Sequence, residues 1–182
     1  MRQIRSKTYS KAPNKKEIRE LYLSSFPKKE QLPWFILRML TLRKMTNITV
    51  YYEDDVFCGF TFDVTEGDIF FVMFFAVNSE IRNRGYGSAI LDFIRSKYPR
   101  KEIMLHIEPL DEAEANYSER VRRLRFYEKN GFYDTGYDVD EVGGTFYVLS
   151  TAQTFDEKAY LRLFRKMSFG FWQPVLRRRL EK

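Results

Sequence analysis

The sequence predicts an α+β fold, and two observations support this class. Three strand-like segments follow one another at residues 47–52, 56–64 and 69–77, and turn-forming acidic and glycine residues join them, which favours antiparallel pairing. The third segment is apolar throughout and too short to span a bilayer, so it is expected to be a strand that is covered on both faces. An amphipathic helix follows it after a short turn, so helices and strands build one core.

The segments before this centre have weaker signals. A first strand is expected within residues 1–10, where β-branched and aromatic residues occur. Apolar residues at helical spacing predict a helix over residues 15–25, and Pro33 opens a second helical stretch. The apolar side of that second helix is expected to carry Phe35, Ile36, Met39 and Leu40.

The segments after the centre predict two more strands around a helix, and then a closing strand. Apolar and polar residues alternate over residues 101–108, which is typical of a strand. A helix is expected over residues 118–130, with Gly131 as its C-terminal cap. Residues 132–139 and 145–149 are expected to close as a hairpin.

Length and composition indicate a globular domain. The chain has 182 residues, of which 44% are hydrophobic and 31% are charged, which suits a protein with a substantial core. The single cysteine, Cys58, excludes an internal disulfide framework, and one histidine without cysteine partners argues against a transition-metal site, so no metal is expected. We find no signal peptide and no long apolar run, so we expect a cytoplasmic location and no membrane partner.

Most of the positive charge lies in residues 151–182. The net charge is +6, and this tail holds eight basic and three acidic residues, so the preceding part is nearly neutral. That distribution argues against nucleic acid as a partner of the whole chain. The tail is expected to form a helix over residues 156–167 and an aromatic arm with Phe169, Phe171 and Trp172, which pack on the same domain. The alternative is an arm that docks on a second subunit, as in a homodimer, or on an acidic partner.

The turn between the apolar strand and its helix favours binding of a phosphate group. Backbone N–H groups at a helix start are free, and the helix dipole attracts anions. Two glycines let the backbone approach a ligand closely, and two arginines add permanent charge, so a diphosphate is expected. A Rossmann fingerprint would require a small residue where Ile90 stands, and a Walker loop would require a Gly-Lys-Ser/Thr ending. The turn consists of Arg82, Asn83, Arg84, Gly85, Tyr86, Gly87 and Ser88.

Two motifs resemble those of the GNAT acetyltransferase superfamily. The pattern R-x-x-G-x-G at residues 82–87, directly after a hydrophobic strand, is similar to the coenzyme A signature of that superfamily. The pattern F-Y-x-x-x-G-F at residues 126–132 is similar to an element on its fourth helix, and it follows the first motif by about forty residues with a strand between them. The two motifs in this order are much more specific than either alone.

The resemblance implies a fold and a co-substrate. The fold is a mixed, mostly antiparallel sheet with helices on both sides, splayed between its fourth and fifth strands, and residues 1–150 would form this acetyltransferase domain. Acetyl-CoA would enter the gap, and the two early helices would form one wall of the acceptor site. The backbone of Phe75, Ala76 and Val77 matches positions that bind the pantetheine arm, and residues 82–88 match the segment that binds the pyrophosphate.

The resemblance also implies an N-acetyltransferase in which an amine attacks the thioester directly in a ternary complex. The acceptor would be a small-molecule or peptide amine. Tyr127 matches the residue near the cofactor sulfur and is the candidate general acid. Glu108 is the candidate base, and the alternative for it is a carboxylate paired with arginine. His106, two residues earlier, is interpreted as a packed histidine.

Two other functions stay open. One is a catalytically weak or inactive CoA-binding protein, because the apolar strand carries no carboxylate that could act as a base. The other is an acetyltransferase of a nucleic-acid-bound amine that the basic tail recruits. The arginine-rich residues 120–125 depart from the family pattern and leave the contacts to the outer half of the cofactor open.

Overall fold

The computed structural model describes residues 2–141, 143–171 and 173–179, so Trp172 of the predicted arm and the last three residues of the tail lie outside the described residues. The strands are β1 (Ile4–Thr8), β2 (Thr46–Glu53), β3 (Val56–Glu66), β4 (Ile69–Val77), β5 (Glu102–Ile107), β6 (Tyr133–Glu141), β7 (Gly144–Ser150) and β8 (Val175–Arg178). The α-helices are α1 (Lys15–Ser25), α2 (Trp34–Leu40), α3 (Tyr86–Lys97), α4 (Tyr117–Lys129) and α5 (Glu157–Met167).

All of these strands belong to one sheet, whose spatial order is β1-β2-β3-β4-β5-β7-β6-β8. The pairs from β1 to β4 are antiparallel, and tight turns join β2, β3 and β4. β4 and β5 are parallel, and α3 supplies the crossover connection that parallel neighbours require. β5, β7, β6 and β8 again pair antiparallel. The predicted α+β class, with a mixed and mostly antiparallel sheet, is confirmed.

The sheet carries a hydrophobic core on each face. α1, α2 and α5 cover one face, which is called the α5 face, and α3 and α4 cover the other, which is called the α3 face. β4 contributes to both cores because its side chains alternate: Phe71 and Phe74 point to the α5 face, and Phe70 and Val72 point to the α3 face. The tail helix α5 buries its apolar side in the same core as α1 and α2.

The C-terminal arm adds a strand to the sheet. β8 pairs antiparallel with β6. Arginines of β8 and of the residue after it face aspartates of β6: Arg177 pairs with Asp140 at 2.5 Å, and Arg179 pairs with Asp134 and Asp138. Part of the positive charge of the tail is therefore balanced within the protein.

The predicted apolar side of the second helix is wrong in part. α2 buries Leu37, and Trp34 and Leu40 pack at its two ends. Phe35 and Met39 are instead 62% and 59% exposed. The helix has only two turns, so the row Trp34, Leu37 and Leu40 is enough to cover its contact with the sheet, and Leu40 is the member of the predicted row that packs on the core.

β4 and β5 separate after a few residue pairs. The residues of β4 that pair with β5 run from Ile69 to Val72, although β4 continues to Val77. Leu105 is the last residue of β5 that pairs with β4, and β5 continues to Ile107. The register between β3 and β4 skips Met73, which is a bulge at the point where β5 diverges. A bulge bends its strand, and this accounts for the divergence. The predicted gap between the fourth and fifth strands is confirmed.

Candidate active site

A cavity of about 640 Å³ opens where β4 and β5 diverge. Residues 72–75 form one wall, and residues 105–108 form the other. The cavity passes through the sheet, because Tyr127 lines it from the α3 face and Phe146 lines it from the α5 face. A space of this size suits a small-molecule ligand, since such sites measure roughly 300–1,000 Å³.

The edge of β4 that borders the cavity has free backbone groups. Among the described residues, no strand pairs with this edge after Val72. Phe75 lines the cavity, and Ala76 and Val77 continue the same edge towards the turn. An extended ligand could add to this edge as a short strand.

Asn78 fixes the direction in which the chain leaves β4. Its backbone N–H donates to the carbonyl of Cys58 at 2.9 Å, and its side-chain amide donates to the carbonyl of Phe57 at 3.0 Å. Its side-chain oxygen accepts a hydrogen bond from the amide of Glu80 at 3.1 Å, which caps the short 3₁₀ turn Ser79–Ile81. The predicted phosphate-binding turn therefore starts from a defined position beside β3.

Residues 83–88 present backbone amides that no protein group uses. Within the described part of the chain, none of these N–H groups donates to a protein acceptor, and the first helical bond of α3 runs from Ala89 to Gly85 at 3.1 Å. Asn83 and Gly85 have φ values of 61° and 81°, in the left-handed region, which turns the chain directly into α3. Space in front of Gly85 is open, because an added Cβ would meet nothing within 4 Å.

The chemistry of this turn fits a diphosphate group. Arg82 and Arg84 are exposed, and their guanidinium groups form no ion pair with any residue that the structure describes. The free amides stand at the N-terminus of α3, where the helix dipole favours an anion. Gly87 serves packing as well, because an added Cβ there would lie 2.9 Å from Cζ of Phe126, so α3 and α4 approach closely.

Arg2 braces the turn from the opposite side. It donates to the carbonyl of Arg84 at 2.9 Å and to Glu53 at 2.6 Å, and its guanidinium lies 3.9 Å from the ring centre of Tyr86. The hydroxyl of Tyr86 also donates to Glu53, at 2.8 Å. The side chain of Tyr86 is therefore engaged within the protein, and its amide is the group left for a ligand. The sequence contains no signal for this brace, because its members are far apart in the chain.

Tyr127 stands in the cavity with its hydroxyl uncommitted. It lies on α4, is buried, and packs edge-on against Phe126 and Phe132, with ring centres 5.1 and 5.5 Å away. Its hydroxyl forms no hydrogen bond with the described protein groups. Burial raises the pKa of Tyr127 to about 12, although the charge of Arg123 lowers it slightly. The phenol therefore keeps its proton over the whole physiological range.

Glu108 also lines the cavity, but arginines hold it. It directly follows β5, and Arg123 forms a short ion pair with its Oε2. Its Oε1 lies 3.6 Å from a guanidinium nitrogen of Arg120 and accepts from Asn116 at 3.3 Å. Burial alone would raise the pKa of Glu108, but the hydrogen bonds and charges of these partners outweigh it, so the pKa lies below its usual range. Such a carboxylate stays charged and is a weak proton acceptor.

His106 belongs to a hydrogen-bonded chain that the sequence does not reveal. Its Nδ1 lies 2.7 Å from Oε1 of Glu141, and its Nε2 lies 2.7 Å from the hydroxyl of Tyr160. His106 and Glu141 both line the cavity. The side chain of His106 is 7% exposed and both of its nitrogens have partners, as in a packed histidine, but it also holds a carboxylate of the hairpin at the wall of the site.

The loop between α1 and α2 completes the wall on the α5 face. Glu30 lines the cavity, and burial, together with the negative charge of Glu108, raises the pKa of Glu30. The hydroxyl of Ser25 is buried at the same wall and has no hydrogen-bond partner within the described residues. The early helices therefore contribute polar groups as well as packing surface.

The described residues contain neither a metal-binding cluster nor a reactive thiol. The described residues contain no group of three or more His, Cys, Asp or Glu side chains that could hold a metal ion. Cys58 is buried, and this burial raises the pKa of its thiol, which makes it a poor nucleophile. Among the described helices, none is both long and apolar enough to cross a membrane.

Comparisons with known proteins agree with this architecture. A family model described as an acetyltransferase (GNAT) domain matches residues 44–134. No curated protein sequence matches the chain. Among solved structures, a GNAT-family protein from Bacteroides thetaiotaomicron is 24% identical with a TM-score of 0.73, over 93% of this chain and 99% of its own.

Two further structures place ligands on the same fold. An aminoglycoside 6'-N-acetyltransferase complexed with coenzyme A has a TM-score of 0.61 and 14% identity, over 85% of this chain and 98% of its own. Naa50 from Arabidopsis thaliana, in complex with the bisubstrate analogue CoA-Ac-MVNAL, has a TM-score of 0.52 and 19% identity, over 82% of this chain and 98% of its own. At these identities the likeness concerns the fold.

Proposed function

Because a family model matches half of its length, the chain belongs to the GNAT acetyltransferase family, and we propose that it moves an acetyl group from acetyl-CoA to an amine. One observation carries the proposal: the free amides of residues 83–88 stand beside a cleft that opens between β4 and β5. Two structures of similar fold contain coenzyme A or an analogue that includes it, which supports this co-substrate.

Three parts of the chain would hold the co-substrate. The amides of residues 83–88 and the guanidinium groups of Arg82 and Arg84 would bind its diphosphate. The free edge of β4 at Phe75, Ala76 and Val77 would pair with the amides of the pantetheine arm. Acetyl-CoA supplies an acetyl group activated as a thioester, which an amine attacks without a covalent enzyme intermediate.

Tyr127 is the group best suited to protonate the departing thiolate. Tyr127 lines the cavity, and its hydroxyl has no hydrogen bond with the protein groups that the structure describes. Burial raises the pKa of Tyr127 to about 12, so the phenol keeps its proton. A positioned acid of this kind contributes roughly 10²–10⁴-fold to a rate. Backbone amides at the end of β4 would stabilise the developing oxyanion.

Two carboxylates of the cavity could receive the proton of the attacking amine. Glu108 is the residue that the sequence predicts, and its role as base stays a prediction. Its arginine partners and lowered pKa weaken its basicity, which favours the alternative of a structural ion pair. Glu141, held by His106, is the second carboxylate.

Calorimetric titration with acetyl-CoA tests the proposal. The double variant Arg82→Ala/Arg84→Ala is expected to bind about a hundredfold more weakly than the wild type, because each charged contact to phosphate contributes about 1.4 kcal/mol. Arg19→Ala/Arg100→Ala is the matched control, since both of these arginines are exposed and lie outside the cleft. Absence of binding heat with both acetyl-CoA and CoA at millimolar concentration would overturn the proposal.

A second assay distinguishes an enzyme from an inactive CoA-binding protein. Release of free thiol from acetyl-CoA in the presence of an amine panel measures transfer directly. We expect the wild type to transfer the acetyl group to at least one amine of the panel, and we expect Arg82→Ala/Arg84→Ala to lose this activity. Tight binding of CoA with no thiol release across the panel would support the inactive alternative.

A further inference from the structure

Resting on the proposed function, we propose that the acceptor is a primary amine carried on a compact apolar body, and that Glu141 receives its ammonium group. The cavity passes through the sheet, and the free amides of residues 83–88 and Tyr127 lie towards the α3 face. A cofactor held there leaves the half of the cavity at the α5 face for the acceptor. Three segments wall that half: the loop between α1 and α2, the hairpin of β6 and β7, and α5.

Apolar side chains form most of the acceptor half. They would bury a hydrocarbon or aromatic body favourably, because its apolar surface would be removed from water. This chamber favours an acceptor with an apolar body over a sugar, whose hydroxyl groups would need partners. The apolar lining residues here are Phe26, Leu32, Phe74, Phe146 and Met167.

The charges of the cavity favour a cation. Glu30 and Glu141 line it without forming an ion pair with any lysine or arginine that the structure describes. Among the described lining residues, Arg123 is the one arginine, and it already forms an ion pair with Glu108. An amino acid or a phosphorylated acceptor would bring a negative charge beside these carboxylates, and the described lining residues offer no unpaired lysine or arginine to balance it. A simple amine brings only the positive charge that they attract.

The mouth of the acceptor half favours a compact molecule. A Cβ built on Gly143 would lie 2.9 Å from Cγ of Glu30 and 3.3 Å from the carbonyl oxygen of Lys29. The end of the β6–β7 hairpin therefore touches the loop between α1 and α2. An extended peptide would have to pass this contact, whereas a compact amine fits behind it.

Glu141 is positioned to receive the ammonium group. Nδ1 of His106 faces a carboxylate, which can only accept, so in the neutral imidazole the proton is on Nδ1 and Nε2 accepts a hydrogen bond from the hydroxyl of Tyr160 at 2.7 Å. Nδ1–H of His106 then donates to Oε1 of Glu141. The imidazole is further fixed by Phe164, whose ring is nearly parallel at 5.9 Å. Within the described residues, Oε2 of Glu141 has no hydrogen bond, which leaves it for the substrate.

The proton step balances with these groups alone. A proton passes from the ammonium nitrogen to Oε2 of Glu141, and the nitrogen keeps the electron pair of the broken N–H bond, which then attacks the acetyl carbon. His106 and Tyr160 are positioning residues, since they act through Glu141. The titratable and charged side chains that line the cavity together with Glu141 are Glu30, His106, Glu108, Glu119, Arg123 and Tyr127, and Tyr160 contacts His106 from the core.

Competition between acceptors tests the substrate class. Wild-type protein with saturating acetyl-CoA is assayed with phenylethylamine, with phenylalanine, and with a tetrapeptide that has a free N-terminus. We expect kcat/KM for phenylethylamine to exceed both others by about tenfold or more, because phenylalanine adds an unpaired carboxylate and the peptide adds length. Equal or higher kcat/KM for phenylalanine or the peptide would overturn the proposal.

Variants test the residues. Glu141→Gln is expected to raise KM for phenylethylamine about tenfold, to lower kcat, and to remove the acidic limb of the pH–rate profile. His106→Phe is expected to move the same limb, with unchanged acetyl-CoA affinity as evidence that the protein is folded. Glu112→Gln, which alters an exposed carboxylate outside the cavity, is the control. A Glu141→Gln profile that matches the wild type would refute the assignment.

Different results would overturn the proposed function and the acceptor class. Loss of acetyl-CoA binding in the wild type would overturn the proposed function itself. Normal acetyl-CoA binding combined with preference for an anionic or peptide acceptor would overturn only the acceptor class and the role of Glu141.

Discussion

Replacing Asp63 with asparagine is expected to stabilise the protein at and above neutral pH. Asp63 lies on β3, is 4% exposed, and accepts hydrogen bonds from the hydroxyls of Thr49 at 2.7 Å and Thr61 at 2.9 Å. It forms no ion pair with any cation among the described residues. Burial raises the pKa of Asp63 to about 7, outweighing the two hydrogen bonds and the charge of Lys97, which lower it.

The magnitude and sign follow from proton binding. Between an ordinary aspartate pKa of 3.8 and the folded value of about 7, the folded state holds a proton that the unfolded state has released. Stability therefore falls as pH rises through this window and is level above it. Each pKa unit corresponds to about 1.4 kcal/mol, so ionising Asp63 costs the folded protein about 4 kcal/mol above the window. Asparagine has nearly the same shape and cannot ionise, so it removes this cost.

Urea unfolding at a series of pH values measures the effect. We expect the free energy of unfolding of Asp63→Asn, relative to wild type, to increase by about 3 kcal/mol between about pH 5 and about pH 8. Asp55→Asn, at an exposed position of the β2–β3 turn, should follow the wild type throughout. A constant difference between Asp63→Asn and wild type across this range would refute the reasoning, because it would mean that Asp63 titrates alike in both states.

Three further variants test the site. Tyr127→Phe is expected to lower kcat about a hundredfold with acetyl-CoA affinity changed by less than about twofold, and unchanged turnover would exclude it as the acid. Glu108→Gln should lower the free energy of unfolding by about 2 kcal/mol, because Arg123 loses its partner; a hundredfold loss of kcat without loss of stability would instead support Glu108 as the base. Gly87→Val should cost about 2 kcal/mol of stability, because its Cβ would lie 2.9 Å from Cζ of Phe126 and 3.6 Å from Cγ2 of Val77 and its methyl groups would crowd them further, and an unchanged melting temperature would contradict this close approach.

The sequence predicts the centre of the molecule because its signals there are local. The apolar run at β4 was predicted with the bounds that the structure has, Ile69–Val77, since nine successive apolar residues in one segment leave little ambiguity. The helix predicted over residues 118–130 is α4 at Tyr117–Lys129. The left-handed φ of Gly85 at the start of α3 is a second reason for a glycine there, besides the close approach of a ligand that the sequence predicts. What these residues bind stays a prediction.

The rest of the site depends on contacts between distant residues. His106 meets Glu141 and Tyr160, which follow it by 35 and 54 positions, and no periodicity in the chain encodes that meeting. Glu108 could not be assigned from the sequence for the same reason. Its arginine partners on α4 determine whether it can act as a base, and the packing of α4 determines whether their side chains reach it. The face of α2 was missed for a different reason: successive residues of a helix are about 100° apart, so a one-residue error in a two-turn helix changes which side is buried.

The central claim is that the amides of residues 83–88 bind the diphosphate of coenzyme A. NMR titration of ¹⁵N-labelled protein with CoA observes these amides individually, and pantetheine, which lacks the diphosphate, is the control ligand. We predict that CoA shifts the resonances of Gly85, Tyr86, Gly87 and Ser88 strongly and that pantetheine leaves them in place. Unchanged resonances for these amides at saturating CoA would contradict the claim.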